Sequence, residues 1–349
     1  MGTIMKKISI CIAMIWAMVI WLTVPGHGQK VQKLAQTGMK FLNVTTDARI
    51  SGMADAVTAV EGYSTAMFLN PSAMAEMPHF ADISFGKVDW IADIKYFYGS
   101  AAFSPWSGRY GVIGFTILSV DYGDMIGTIR DDNAANELGY VETGSFSPTA
   151  LAFGIGYSKA LSSKFSVGGN VKYVFQNMGS SIVGLVGAAS DANYTRKSYS
   201  ASVAAFDFGV LYKTGFRSLN IGMCIRNFSK EVRYEDESFQ LPLIFRIGAA
   251  MDLLDIYPFM SKEYSSLLFS VDATHPRDYP EQINVGLEYL VFKTFSIRAG
   301  YSAPNDEYGF TTGIGFQQAL KNYRLAVDYA YTPFGAFNAV HRLSAHFSL

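Results

Sequence analysis

From Phe80 to the last residue the chain alternates apolar and polar residues with a period of two. That period describes strands; the apolar positions of an amphipathic helix recur every three or four residues instead. In "LAFGIGYS", Leu151, Phe153, Ile155 and Tyr157 share one face, opposed by Ala152, Gly154, Gly156 and Ser158. "FSVGGNVKYVFQ", "FSIRAGYS" and "YRLAVDYAYT" repeat the arrangement. About fourteen runs of this kind follow one another, at 80–87, 94–104, 110–121, 149–159, 164–177, 199–213, 218–229, 241–252, 264–274, 281–291, 293–302, 307–317, 321–332 and 336–349. An even count is what single-chain bacterial barrels use.

The second face separates a membrane barrel from a soluble sandwich. It carries Lys172, Asp207, Arg226, Arg246, Asp272, Glu288, Arg298, Arg324 and Asp328, with glycine and serine filling much of the rest. A transmembrane barrel turns its apolar face to lipid and a polar, small-residue face to the lumen, with aromatics at both interfaces. Tyr and Phe gather near the ends of runs, as in "KYFYG", "DYAYTPF" and "LEYLVF". Only 16% of residues are charged, against about a quarter in soluble proteins. The expected fold is an all-β outer-membrane β-barrel of about 14 antiparallel strands, in contact with outer-membrane lipid.

Connection lengths agree. The long links 122–148, 178–198 and 230–240 follow odd-numbered strands, while "SPWSGR", "ALSSK", "TGFRS" and "LKN" follow even-numbered ones. Long loops outside and short turns in the periplasm is the barrel rule. Link 253–263 is a longer periplasmic exception. Both termini are then expected in the periplasm. The closing "AVHRLSAHFSL" alternates to the end and is similar to an outer-membrane assembly signal.

Residues 1–28 read as a secretory signal: Lys6 and Lys7, an apolar run Ile8 to Val24, then Gly26 and Gly28 before a cut at Gln29. An uncleaved anchor is the alternative, since the run approaches the roughly 17–25 residues that span a bilayer. Residues 29–79 are expected to form an N-terminal periplasmic segment and plug, and 80–349 the barrel.

Catalytic chemistry finds little support. Cys224 is the lone cysteine after the signal, and the five histidines are scattered, so no metal site and no cofactor is expected. An outer-membrane hydrolase would require His341 or His346 beside a serine and an acid at the outer rim; no enzyme is expected. Asp121, Asp124, Asp131 and Asp132 lack the spacing of a Ca²⁺ loop and read as solvated. The net charge of −1 offers no basic face for nucleic acid.

"TAMFLNPSAMAEMP", Thr65 to Pro78, reads as a short apolar helix with Asn70 as N-cap, Pro71 at the first position and Pro78 as the stop. Such a helix is marginal alone. Met67, Phe68, Met74 and Met77 would pack it into the lower lumen as a plug; a lead-in helix at the periplasmic rim is the alternative. "TGMKFLNVTTDARISGMADAVTAV" followed by "LNPSAMAEM" closely resembles the N-terminal region of the PorV/PorQ family, within the FadL-like outer-membrane barrels. Asn70 and Pro71 match that family's Asn-Pro-Ala hatch motif, with Ser72 in place of Ala. Asp47, Ala48 and Arg49, then Gly52, Met53 and Asp55, match its Asp-Ala-Arg and Gly-Met-x-Asp elements. Read from the residues alone, Asp47, Arg49 and Asp55 ion-pair to fix the hatch.

The resemblance implies a type IX secretion component that binds or shuttles exported cargo at the cell surface, with secreted proteins and attachment components as partners. The alternative is a FadL-like transporter for hydrophobic small molecules, against which the nine charges of the lumen face argue. A structural barrel without cargo is the third reading.

Overall fold

A computed structural model describes residues 37–131, 136–183, 195–256, 262–305 and 309–349. The signal 1–28, the start of segment 29–79 and parts of the links at 122–148, 178–198 and 253–263 lie outside the described residues.

The strands are β1 Ala81–Asp89, β2 Lys95–Phe103, β3 Val112–Asp121, β4 Met125–Arg130, β5 Tyr140–Phe146, β6 Thr149–Ala160, β7 Phe165–Val183, β8 Thr195–Lys213, β9 Asn220–Ser229, β10 Val232–Arg233, β11 Ser238–Phe239, β12 Ile244–Asp252, β13 Ser266–Pro276, β14 Gln282–Val291, β15 Phe295–Ala303, β16 Phe310–Leu320, β17 Tyr323–Pro333 and β18 Ala339–Ser348. Fourteen of them close into an antiparallel barrel, while β4–β5 and β10–β11 form separate two-stranded sheets. Closure joins β1 to β18, from Asp82 opposite Ser348 to Asp89 opposite His341. A closed sheet leaves no edge, which the membrane demands because lipid offers nothing to an unpaired backbone group.

Each of the fourteen runs is a barrel strand. A closed antiparallel barrel of this kind, apolar outside and polar within, places the chain in the bacterial outer membrane. Its outer face carries Phe85, Phe153, Tyr173, Phe208, Ile297, Ile314 and Leu343, all exposed to what would be lipid. Two links differ from expectation. The stretch 178–198 is largely strand, because β7 and β8 continue their ladder to Val183 and Thr195 past a bulge at Asn177–Ser180. The link 122–148 contains the β4–β5 hairpin.

A second bulge sits in the wall. Asp207 of β8 faces both Arg226 and Asn227 of β9, where Asn227 takes a left-handed φ of 61°. The extra residue turns two consecutive polar side chains into the lumen, which is what a bulge does to a strand.

Residues 37–80 run through the lumen, which corrects the expected periplasmic start. Thr37 bridges Gln240 and bonds Asp278 at 2.6 Å, both on links at the long-loop, extracellular end. Lower down, Thr45 meets Arg342, Thr58 meets Asp272, and Ser64 meets Asp82. Glu76 reaches Lys213 at the periplasmic end, where β1 begins. The burial of Met39, Phe41 and Leu42 explains this path: the upper lumen gives them apolar walls that the periplasm does not. The Thr65–Pro78 stretch is two 3-10 turns, Ser64–Phe68 and Pro71–Glu76, rather than one α-helix. Both are closed by i to i−3 bonds, the tighter geometry used in short pieces.

Candidate functional site

The inner segment rests on the wall through glycines. A Cβ on Gly300 would fall on the Ala54 nitrogen and the Met53 carbonyl carbon, and one on Gly209 would fall on the Asn70 side chain. Small wall residues thus let the inner backbone lie directly on the strands.

The matched motif residues all lie in this contact zone. Asp47 caps α1, Ala48–Gly52, by accepting from the Ile50 N–H at 2.9 Å. Its second oxygen accepts from the Tyr98 hydroxyl at 2.8 Å and stands 3.3 Å from His346 Nε2. The Asp47 carboxylate is thus shared among the Ile50 N–H, the Tyr98 hydroxyl and the His346 ring. Arg49 forms a two-pronged pair with Glu288 at 2.7 and 2.8 Å and lies over the Tyr63 ring. Gly52 packs on the Gly313 backbone, and Met53 is fully buried. Asp55 engages through its carbonyl, which accepts from Arg246 at 3.1 Å. Asp47, Arg49 and Asp55 therefore do not pair with one another: Asp47 reaches Tyr98 and His346 on the wall, and Arg49 reaches Glu288. Their side chains point outward from a narrow turn, so wall partners are the nearer ones.

Asn70 holds two elements at once. Its amide donates to Thr58 O at 2.8 Å and Val210 O at 3.2 Å, while its oxygen accepts from the Ser72 hydroxyl at 2.7 Å. Ser72 and Pro71 sit against Gly168. Ala54 and Asp55 carry left-handed φ values of 50° and 63°, a conformation costing about 1–3 kcal/mol per residue outside glycine. Bonds from Ala54 N to Thr311 at 3.1 Å and Asp55 N to Ile50 O at 3.1 Å hold it.

The wall charges fall into two groups. Arg298 joins Glu288 at 2.5 Å and Asp328 at 2.6 Å, extending the Arg49 pair, and His346 stands 3.3 Å from Asp328. On the other side Lys172 pairs with Asp207 at 2.9 Å and donates to Asn227 at 2.6 Å. Asp272 accepts from Thr58 N and Oγ1 at 3.0 and 2.6 Å, and Arg226 donates to Leu42 O at 3.3 Å. Arg324 is half-buried nearer the periplasm, donating to Tyr63 and Gln317. A cleft lined by Arg49, Tyr63, Phe316, Arg324 and His346 opens beside it.

Several groups here were not singled out from sequence: Tyr98, Tyr63, Thr58 and Asn227. The alternation does place His346 and Tyr98 on the inner face, which was the available signal. His346 Nδ1 lies 2.6 Å from Ser84 Oγ, with Asp47 and Asp328 on its other side. This is a serine, a histidine and two acids, but in the lumen rather than at the outer rim. Ser84 is 1% exposed and Ser64 lies 3.4 Å over it, so no acyl group can approach. Among the described residues no group of acidic, His or Cys side chains has the geometry of a metal site.

Toward the extracellular end the lumen changes character. Val88, Tyr96, Val120, Ala150, Val174, Val203 and Val340 face inward there and bury Met39, Phe41 and Leu42 of the inner segment, with Leu241 above. Trp90 packs on this cluster, edge-on to Phe334 at 4.9 Å and Tyr96 at 6.0 Å. Arg226 and Arg246 lie toward the extracellular ends of β9 and β12, and Arg342 stands over the Trp90 ring at 5.4 Å, so this apolar cluster is bordered by charge.

No protein-family model matches the chain, and no curated protein matches it. Solved structures do. The toluene transporter TodX of Pseudomonas putida aligns at 13% identity and a TM-score of 0.55, covering 86% of this chain and 96% of its own. The toluene transporter TbuX of Ralstonia pickettii aligns at 12% identity and 0.54, covering 85% and 96%. A FadL homologue of Pseudomonas aeruginosa aligns at 14% and 0.53, covering 87% and 98%. At these identities the likeness concerns the fold, that of the FadL-like outer-membrane barrels.

Proposed function

We propose that this barrel admits hydrophobic small molecules from outside the cell, with the inner segment as its hatch. The observation that carries the reading is the apolar upper chamber: its walls are Val, Ala and Tyr, and its present occupants are Met39, Phe41 and Leu42, the side chains a hydrophobic solute would replace. Burying apolar surface in such a chamber is favourable at about 25 cal/mol per Å². The charges of the lumen face are paired: Glu288, Asp272 and Arg246 hold residues 49–58, Arg226 holds Leu42, and Lys172 pairs with Asp207. The neighbours described as toluene transporters support the same solute class.

Secretion-associated cargo binding is the second reading. It rests on the motif residues of the N-terminal region and on the β4–β5 hairpin, where Ile126 and Val141, with Leu138 in the turn, are 64%, 52% and 70% exposed. One comparison separates the two. Cells lacking the protein should take up a radiolabelled monoaromatic hydrocarbon severalfold more slowly while their surface-attached exported proteins stay at normal abundance. Normal uptake with depleted surface proteins would reverse the assignment.

A further inference from the structure

At the periplasmic end of the lumen one guanidinium has no counter-charge. Arg324, near the start of β17, is half-buried and lines the cleft between wall and inner segment. Its Nη2 donates to the Tyr63 hydroxyl at 3.3 Å and to Gln317 Oε1, both neutral. Gln317 is itself fixed, donating to Lys293 O at 2.9 Å. Among the described residues Arg324 makes no ion pair, and its Nε and Nη1 reach no protein acceptor. The acids nearby are engaged elsewhere. Arg49 and Arg298 take Glu288, Arg298 takes Asp328, and Lys213 takes Glu61 and Glu76. Asp82 lies behind Ser348 and accepts from its hydroxyl at 2.8 Å and from the Ser64 N–H.

The cleft is lined by Arg49 and Tyr63 of the inner segment and by Leu290, Ser296, Arg324 and Ser348 of the wall. These four wall residues each stand at or beside the periplasmic end of their strand, so the cleft opens there. Among the groups lining it, Arg49, Arg298 and Arg324 meet the carboxylates of Glu288 and Asp328. The surplus of positive charge on the cleft's own walls needs no proton on His346. Charges drawn into a protein interior are ordinarily paired, and Arg324 departs from that pattern. The Tyr63 ring does not make up the difference, since it already lies 4.4 Å from the Arg49 guanidinium and 5.6 Å from that of Arg324.

We propose that this cleft binds a small monocarboxylate with an apolar body. The free donors of Arg324 and the Ser296 hydroxyl hold the carboxylate, through bonds that the guanidinium charge strengthens. Tyr63 and Leu290 flank the body. One surplus positive charge matches one carboxylate, whereas a phosphate dianion would set a second negative charge beside Glu288 and Asp328. A bare inorganic anion would leave the Tyr63 and Leu290 side unused. The site lies at the opposite end of the lumen from the upper chamber, and its occupant joins the inner segment to β17.

The test uses the full-length protein in detergent micelles, with para-fluorobenzoate as probe and para-fluorobenzyl alcohol as its neutral counterpart. Fluorine NMR reads binding against protein-free micelles. The wild type should bind the acid saturably, while the alcohol only partitions into the micelle. Arg324→Gln should weaken the acid roughly tenfold or more, the scale of hydrogen bonds to a charged group. Arg109→Gln, which removes an exposed arginine from the periplasmic turn before β3, should change nothing. Unsaturable binding of the acid, or equal binding of acid and alcohol, overturns the proposal on the wild type alone. So does binding that survives Arg324→Gln, or that falls equally in Arg109→Gln and so reports only general surface charge.

Discussion

Arg298→Ala should lower the unfolding free energy of the barrel in lipid vesicles by about 3 kcal/mol, the low end for breaking a buried ion pair. Arg298 is 4% exposed and bridges two carboxylates, Glu288 at 2.5 Å and Asp328 at 2.6 Å. Its removal leaves Glu288 with Arg49 and Asp328 with His346 at 3.3 Å, so neither acid is stranded completely. That places the expected loss at the low end. Adding Asp328→Asn to the alanine variant should restore part of it, because the acid left with the poorer partner is then neutral. Urea titration of the wild type, Arg298→Ala, Asp328→Asn and the double variant measures the coupling. Equal midpoints for wild type and Arg298→Ala would mean that water supports these charges and the network holds nothing in place.

The second large effect concerns the contact between wall and inner segment. Gly300→Val introduces side-chain atoms where the Ala54 nitrogen and Met53 carbonyl carbon now lie. Valine suits a strand, and β15 is paired on both sides, at Gly286 and Thr311. The inner turn is the weaker element, since Ala54 and Asp55 already occupy left-handed backbone. It should therefore yield, and single-channel conductance of the purified barrel in planar bilayers should rise severalfold. The barrel itself should keep its resistance to heat in detergent. An unchanged conductance with a destabilised barrel would show that the segment is held more firmly than the wall.

The strands were legible because a period of two survives any context in which one face meets lipid and the other the lumen. The same alternation placed Lys172 and Arg298 inward. Their partners were not legible, because which residues meet across a lumen depends on the stagger of the closed barrel. Arg49 and Glu288 are 239 residues apart in sequence, and no local pattern relates them. The path of residues 37–80 was also hidden: it is irregular, and its turn at Ala54–Asp55 uses a backbone region that the sequence assigns to glycine. The bulge at Arg226–Asn227 escaped for a similar reason, since one extra residue in a strand leaves the alternation on either side intact. Helical spacing in Thr65–Pro78 was a real signal of burial, but the stretch folds as two 3-10 turns of five and six residues.

An apolar upper chamber that accepts a hydrophobic solute would carry a built-in reporter. Beyond residue 28 the chain has two tryptophans: Trp90 beside the chamber and Trp106, 74% exposed near the periplasmic end. Fluorescence of the Trp106→Phe and Trp90→Phe variants should be titrated with nitrobenzene, an apolar monoaromatic quencher. Saturable quenching of Trp90 alone, with Trp106 responding only in proportion to quencher dissolved in the micelle, is the predicted result. Linear, unsaturable quenching of both tryptophans would contradict the account and leave the chamber as packing around the inner segment.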